Sequence, residues 1–261
     1  MLQAEDIHVS LSGAPVLRGV TLEALPGQVT VIVGPNGSGK TTLLRAMTQD
    51  LPYRGTIRLE HADIARQPGW KLATRRAVLP QSSRIAFPFT VLEIVRLGLM
   101  AGAVPAPETR ASEALARVGL AGFEGRFYQE LSGGEQQRAQ LARVLCQVWE
   151  PVGEDGPHWL FLDEPVSSLD IGHQLEVMDL MADYARGGGG VVTVMHDLNL
   201  TAMYADRVIL IAEGQCLAAG PPEDVLTDAV LSHAYGCALR VNIAPAPPAT
   251  FLLPHMARRA G

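Results

Sequence analysis

The sequence predicts an α/β fold, a mixed sheet core into which a helical subdomain is inserted, and three observations carry that prediction. Short apolar runs at 29–33, 159–162 and 191–195 have the character of strands buried on both faces. From about residue 88 to 146 the hydrophobic period changes to that of helices. The 261 residues, 48% hydrophobic and only 18% charged, are ample for a real core and exclude intrinsic disorder.

Taken in order, Ile7, Val9 and Leu11, then Val16, Val20 and Leu22, alternate as half-buried strands do, around a turn at 12–15. Pro26-Gly27 marks another turn before the strand at 29–33. That strand breaks at Gly34, a helix runs from near Gly39 to about Thr48, and a strand follows at 55–59. In the helical region Leu92, Val95, Leu97 and Leu99 form one stripe, Ala111, Leu115 and Val118 a second, and 136–146 a third, punctuated by Pro88, Pro105, Pro107, Gly119 and Gly122. Residues 150–158 read as an acidic, Pro/Gly-rich surface loop. A helix is expected over 170–184, with the glycines at 187–190 as its C-cap and loop, and strands at 207–211 and 216–219 complete the sheet. The Pro-rich tail after Gly236 reads as a loosely packed appendage.

Composition narrows the partners. Lys+Arg 21 against Asp+Glu 27 gives a net charge of −6, which argues against a broad electrostatic grip on nucleic acid or anionic lipid. No apolar run reaches the roughly 18 residues that a membrane-spanning helix needs. The acidic first residues lack the basic-then-apolar pattern of a secretory signal. Cys146, Cys216 and Cys237 are odd in number and far apart, as expected of reduced thiols in a cytosolic protein. Lysine is rare, occurring only at Lys40 and Lys71.

Lys40 stands in the segment Gly34-Pro35-Asn36-Gly37-Ser38-Gly39-Lys40-Thr41, which fits GxxxxGK[ST] directly after a buried strand and before a helix. The order is what phosphate binding needs. Glycines let backbone N–H groups converge on phosphate oxygens, the helix N-terminus adds its dipole, Lys40 reaches the β/γ-phosphates and the Thr41 hydroxyl ligates Mg²⁺. The apolar strand 159–162 then ends in Asp163 and Glu164, acids that are costly to leave unpaired beside a buried sheet. Asp163 can hold the Mg²⁺ shell while Glu164 polarises an attacking water. Successive strand residues leave in different directions, which suits two carboxylates to two roles. Leu131-Ser132-Gly133-Gly134-Glu135-Gln136-Gln137-Arg138 opens another helix. By spacing alone, Ser132 with Glu135 three residues on is a capping box. The other reading of the segment makes Ser132, with the Gly133 and Gly134 amides at the helix N-terminus, a second anion site that need not face its own cradle.

LSGGEQQR, with GPNGSGKTT, LFLDEP and SSLD in the same order, resembles the ATP-binding-cassette (ABC) ATPases, P-loop NTPases, over residues 2 to about 235. The resemblance implies one nucleotide-binding domain over 1–235, with the helical subdomain at about 88–146, and a separate tail at 236–261. It implies ATP and Mg²⁺ as cofactors, held by Gly34, Pro35, Asn36, Gly37, Ser38, Gly39, Lys40, Thr41 and Thr42. It further implies a head-to-tail homodimer enclosing two ATP sites, so that Ser132, Gly133 and Gly134 serve the partner's nucleotide, and Asp170, also counted among the nucleotide-binding residues, lies on the loop that crosses the dimer interface. Gln81 matches the family's glutamine loop, which reaches Mg²⁺ and the attacking water, and His196 matches its switch histidine. Metal contacts are thus implied for Thr41, Gln81 and Asp163, and catalytic roles for Glu164, His196 and Gln81. The family's aromatic near the first strand is missing here: only His8 has a planar ring, so adenine contact falls to Val9, Leu11 or Val16.

Within that family, residues 79–91 and the insertion at 148–160 resemble the ATP-binding subunits of bacterial haemin importers, cousins of the iron-siderophore and cobalamin importers. The resemblance implies an ATP-hydrolysing subunit that energises import, peripheral to the cytoplasmic face of the bacterial inner membrane. Its partners would be two transmembrane permease subunits and, indirectly, a periplasmic substrate-binding protein, with no nucleic acid. Siderophore or cobalamin cargo, and a soluble non-transport ABC ATPase, are the alternatives; a P-loop kinase leaves LSGGEQQR and SSLD unexplained. Phe87 and Phe89 fit either the core of the helical subdomain or a socket for a permease helix, and Arg75, Arg76 and Arg84 fit a solvated face.

Overall fold

Hydrophobic alternation in the first quarter of the chain builds an antiparallel sheet in the computed structural model, which describes residues 1–82, 85, 87–102, 107 and 109–256. Arg84 and Pro105 and the last five residues of the tail lie outside the described residues. Strands β1 (Leu2–Leu11) and β2 (Ala14–Ala24) form a hairpin closed by Ser12 and Gly13 alone. The turn is shorter than expected because Ala14 and Pro15 already pair with Leu11 and Ser10. Pro15 is tolerated there because β2 is an edge strand.

β3 (Val29–Val33) is buried along its whole length and leads through the glycine-rich loop into α1 (Lys40–Met47). β4 (Arg54–Leu59) and β5 (Ala62–Asp63) return to the first sheet, whose order is β2-β1-β4-β5. The short α2 (Gly69–Ala73) then delivers β6 (Arg76–Leu79). Arg76 is not on a solvated face: it is 8% exposed and donates to the carbonyls of Met47 and Thr48 at 3.0 and 2.7 Å. A cation at the C-terminus of α1 satisfies carbonyls that the helix leaves orphaned. Burial is so complete that it brings the Arg76 guanidinium down to about 10.

The helical subdomain comprises α3 (Val91–Ala101), α4 (Arg110–Arg117) and α5 (Gly133–Gln147). On α3 the buried face is Val91, Ile94, Val95 and Gly98, while Leu97 points outward at 45% exposure. The predicted stripe was therefore rotated, because the contact point with α5 is a glycine. A Cβ on Gly98 would stand 2.0 Å from the Arg143 carbonyl oxygen. Phe89 packs on this core and Phe87 is exposed.

The segment expected as an open surface loop is instead a small hairpin, β7 (Val152–Gly153) with β8 (Gly156–Pro157). β9 (Trp159–Asp163), α6 (Ile171–Arg186) and β10 (Gly190–Val194) follow. α7 (Leu198–Tyr204), β11 (Arg207–Ala212) and β12 (Gln215–Gly220) come next. α8 (Pro222–Val225) and α9 (Asp228–Tyr235) end the series. The tail is tied at its start, where the Leu239 and Val241 amides donate to Ser232 and Asp228 side chains.

The second sheet has the order β12-β11-β3-β10-β9-β6, parallel except for β12, so the core sheet is mixed as predicted. Alternation splits it between two cores. Val31, Val33, Leu160, Leu162 and Val191 face the helical subdomain and α6. Ile32, Trp159, Phe161, Val192 and Val194 face α1 and the antiparallel sheet. Residues at the C-terminal ends of β3, β10, β9 and β6 are level: Ile32 pairs with Val194, Val194 with Asp163, and Leu79 with Leu162. Four adjacent strands thus stop along one edge, where open parallel sheets bind ligands.

Candidate functional site

Immediately beyond β3 the chain turns at Gly34, whose φ of +147° and tight environment exclude any side chain. A Cβ there would lie 2.0 Å from the Ile211 carbonyl oxygen. Gly39 caps α1 with φ +104°, its missing side chain making room for Leu17. These two glycines wrap the loop around the N-terminus of α1, where backbone N–H groups and the helix dipole favour an anion. The Gly34 backbone also meets the hydroxyl of Tyr235 from α9.

Lys40 is 6% exposed, and its Nζ donates to the Gly34 and Pro35 carbonyls, both at 2.9 Å. Burial lowers its pKa, and the negative charges of Glu164 and Asp163 oppose that shift. The ammonium therefore rests on neutral acceptors, in a place where an anionic oxygen would be a stronger one. Ser38 Oγ is buried in the same loop with no hydrogen-bond partner among the described residues. Both observations fit a phosphate ligand.

Thr41, next on α1, donates its hydroxyl to Asp163 Oδ1 at 3.1 Å. Asp163 ends β9 at 3% exposure, and its carboxyl is pushed up chiefly by burial, helped by the Glu164 charge and opposed by Thr41 and Lys40. A buried carboxylate beside a hydroxyl is a pair of hard oxygen donors of the kind that binds a divalent cation. Among the described residues no group of three or more His, Cys, Asp or Glu is placed to hold a metal ion by itself. That suits Mg²⁺, which takes one or two protein oxygens and completes its shell from phosphate and water.

Glu164 follows Asp163 with φ +53°, a conformation uncommon for a residue with a side chain. Its amide donates to the Val194 carbonyl at 3.1 Å, and its Oε1 lies 2.6 Å from His196 Nε2. His196 leaves the neighbouring strand two residues past the end of β10, so register sets this pair. Gln81 leaves β6 in the same manner. Val16, Asn36, Lys40, Thr41, Thr42, Gln81, Glu164 and His196 together surround a cavity of about 510 Å³. Of the three apolar residues expected near a base, Val16 lines it, whereas Val9 is buried in the second core. A larger groove of about 610 Å³ between α5 and α6 holds none of these groups.

Ser132 and Asp170 do not line that cavity. Ser132 caps α5: its Oγ accepts from the Glu135 amide at 3.3 Å and its amide donates to Glu135 Oε2 at 2.7 Å, the capping box read from the spacing. Donation from the Ser132 hydroxyl and from the Ser132 amide holds the Glu135 carboxyl below its ordinary range. Asp170 caps α6, accepting from the His173 amide at 3.0 Å and from its ring at 2.9 Å. The His173 bonds lower the Asp170 carboxyl as well. Gly133 and Gln81 meet in a separate hollow of about 180 Å³, with Gln137 and Ser168. Sequence reasoning did not single out Gln137, although it lies inside LSGGEQQR, nor Asp197, which caps α7 beside His196 through bonds at 2.7 and 3.0 Å.

The arrangement has an anion cradle, a pair of hard oxygen donors, and a carboxylate held by a histidine at the cavity wall. It can bind a polyphosphate with a divalent cation and take a proton from water. Comparisons with known proteins agree. The ABC transporter family profile matches residues 17–167. Hemin import ATP-binding protein HmuV of Jannaschia sp. (strain CCS1) is 70% identical over 100% of this chain and 97% of its own length. The protein of the same name from Roseobacter denitrificans (strain ATCC 33942 / OCh 114) is 61% identical over 99% of both chains. Among solved structures, cbiO1 from Clostridium perfringens, part of the ABC transporter complex cbiONQ, superposes with a TM-score of 0.71 at 27% identity. That match covers 89% of this chain and 92% of the other.

Proposed function

The chain belongs to the ABC transporter family, and from that premise we propose that it is the ATP-hydrolysing, energy-coupling subunit of a haemin importer. The observation that carries the hydrolytic part is the convergence of Lys40, the Thr41–Asp163 pair and the Glu164–His196 pair on one cavity at the ends of adjacent parallel strands. The cargo follows from the relatives named above, since nothing in the cavity reads a cargo.

In this proposal Lys40 exchanges its two loop carbonyls for β- and γ-phosphate oxygens, and Ser38 and the loop amides from Gly34 to Thr42 hold the rest of the polyphosphate. Thr41, Asp163 and Gln81 hold Mg²⁺, which when bound supplies charge neutralisation at the phosphoryl oxygens. Glu164 takes the proton of the attacking water, and His196, at 2.6 Å, fixes the direction of that carboxylate. Val16 offers the base an apolar contact.

Ser132, Gly133, Gly134 and Asp170 act on the nucleotide of a second copy in a head-to-tail homodimer. Support comes from their position off their own chain's cavity while still capping helices whose N-termini favour anions. Two permease subunits complete the assembly at the cytoplasmic face of the bacterial inner membrane, served indirectly by a periplasmic binding protein. Among the described residues no helix is long and apolar enough to cross a membrane. Residues 1–235 form the nucleotide-binding unit, with the helical subdomain at about 88–146.

Glu164→Gln tests the proposal. The substitution keeps shape and one acceptor but removes the base, so MgATP binding survives while hydrolysis falls roughly a hundredfold or more. Uncleaved ATP then holds two copies together, and the variant elutes as a dimer with MgATP and as a monomer without it. Turnover at the wild-type rate would remove Glu164 from the base role.

A further inference from the structure

Gln137 stands three residues after Gly134 on α5, and its carboxamide spans two backbone groups of the segment that follows β9. Its Nε2 donates to the Glu164 carbonyl at 2.7 Å, and its Oε1 accepts from the Ser168 amide at 3.3 Å. The Glu164 carbonyl also accepts from the Ser167 amide and hydroxyl, at 3.3 and 3.2 Å. Gly134 reinforces the contact from the same helix face, for a Cβ there would lie 2.9 Å from the Ser168 carbonyl oxygen. The first turn of α5 and residues 164–168 are therefore joined at adjacent points.

We infer that Gln137 is a positioning residue for hydrolysis: it anchors the backbone of Glu164 to the helix that begins at Ser132, and so aims the Glu164 carboxylate. The inference rests on the reading of Glu164 as the base. Glu164 keeps its left-handed backbone, φ +53°, only while its surroundings impose it. One end of the residue is held by His196 on the carboxylate, and the other by Gln137 on the carbonyl. Gln137 does not line the nucleotide cavity but the hollow beside it, so its action passes through Glu164 and not through contact with nucleotide. It also links the helix end proposed to meet the partner's nucleotide with this chain's own carboxylate. A carboxamide suits the task because it offers a donor and an acceptor on one planar group.

Two variants divide that group. Gln137→Met keeps the length and removes both hydrogen bonds. Gln137→Glu keeps the acceptor for Ser168 but, when ionised, turns an oxygen lone pair toward the Glu164 carbonyl. A protonated Glu carboxyl has a donor again, and so restores the pattern. Steady-state ATP hydrolysis is measured across pH, with thermal unfolding and MgATP binding recorded for each protein.

Gln137→Met should lose roughly ten- to a hundredfold in kcat, the scale of a small misplacement of a reacting group. Its KM for ATP should stay within about twofold of wild type, because the lost interaction is not made with bound substrate. The ratio of Gln137→Glu to Gln137→Met activity should rise severalfold from about pH 7 to about pH 5, as residue 137 gains its proton. Glu164, Glu135 and Arg138 are present in both variants, so the ratio reports the proton on residue 137. A Gln137→Met protein with wild-type kcat, or one impaired only in KM, overturns the inference, as does a ratio that stays flat with pH. Should Gln137→Met fail to fold, the pH response of Gln137→Glu relative to wild type decides alone. The two failures are distinguishable: an active Glu164→Gln protein overturns the base assignment, whereas a dead Glu164→Gln beside a fully active Gln137→Met overturns only the role of Gln137.

Discussion

Replacing Gly98 by alanine sets two effects of opposite sign against each other. In an exposed helix the change stabilises by about 1 kcal/mol, because alanine loses less backbone freedom on folding. On α3 the new Cβ would stand 2.0 Å from the Arg143 carbonyl oxygen, 2.9 Å from its carbon and 3.1 Å from Cys146 Cβ. A relaxed C···O approach is about 3.3 Å or more. The nearest obstacle is helix backbone and has no rotamer to change, so α3 and α5 must move apart by roughly 1 Å. Overpacking at that level costs about 3 kcal/mol, leaving a net loss near 2 kcal/mol after the helix-propensity gain. At about 2–4 °C per kcal/mol for a chain of this size, the melting temperature should fall by about 4–8 °C. Thermal unfolding monitored by circular dichroism measures it. ATP turnover should fall as well, since α5 carries Ser132 and Gln137. A Gly98→Ala protein that melts at or above the wild-type temperature refutes the close-packing argument, for propensity would then have won.

The remaining predictions concern the nucleotide site. Asp163→Asn removes a carboxylate whose folded pKa is raised by burial, so folding penalises the charged form at pH above that pKa and not below it. The nucleotide-free variant should be more stable at neutral pH by roughly 1 kcal/mol, with the difference closing as pH falls through the raised pKa, while the Mg²⁺ dependence of ATP binding weakens; a variant that melts lower sinks the desolvation argument. Lys40→Ala should lose ATP affinity by calorimetry, since a charge-assisted contact disappears. Mixing Lys40→Ala chains with Ser132→Arg chains should recover ATP hydrolysis that neither parent shows, because one composite site per mixed dimer is intact. No recovery, together with no crosslink between Ser38→Cys and Ser132→Cys across copies, contradicts the head-to-tail arrangement.

The parts of the molecule legible in the sequence were those whose physics is local. The strand 29–33, the glycine loop and Lys40 are contiguous, and each imposes its own conformation on the backbone. The acids after β9 could be read as site residues because an apolar strand ending in two carboxylates has few other uses beside a cradle. Packing between distant segments was not legible. The stripe read through Leu97 and Leu99 passes over Gly98 between them, yet Gly98 is the point of contact with α5 and Leu97 faces outward. Arg76 reads as surface charge beside Arg75, yet it closes the end of α1, nearly thirty residues earlier. Gln137 sits within the most recognisable motif of the chain, but its partners are backbone groups at Glu164 and Ser168 that no spacing rule reveals.

The resting position of Lys40 bears on which anions the loop accepts. With its ammonium already satisfied by the Gly34 and Pro35 carbonyls, the loop holds its shape before any ligand arrives, which lowers the ordering cost of binding. A ligand must nevertheless take the lysine away from two acceptors. An orthophosphate ion reaches only part of that set of donors, and much of its own hydration is lost in the exchange. A triphosphate chain presents several oxygens at once, to the lysine, to the Ser38 hydroxyl and to the row of amides along the helix start, and gains from all of them together. The loop thus favours a ligand that engages the lysine, Ser38 and the helix-start amides together over one that reaches the lysine alone.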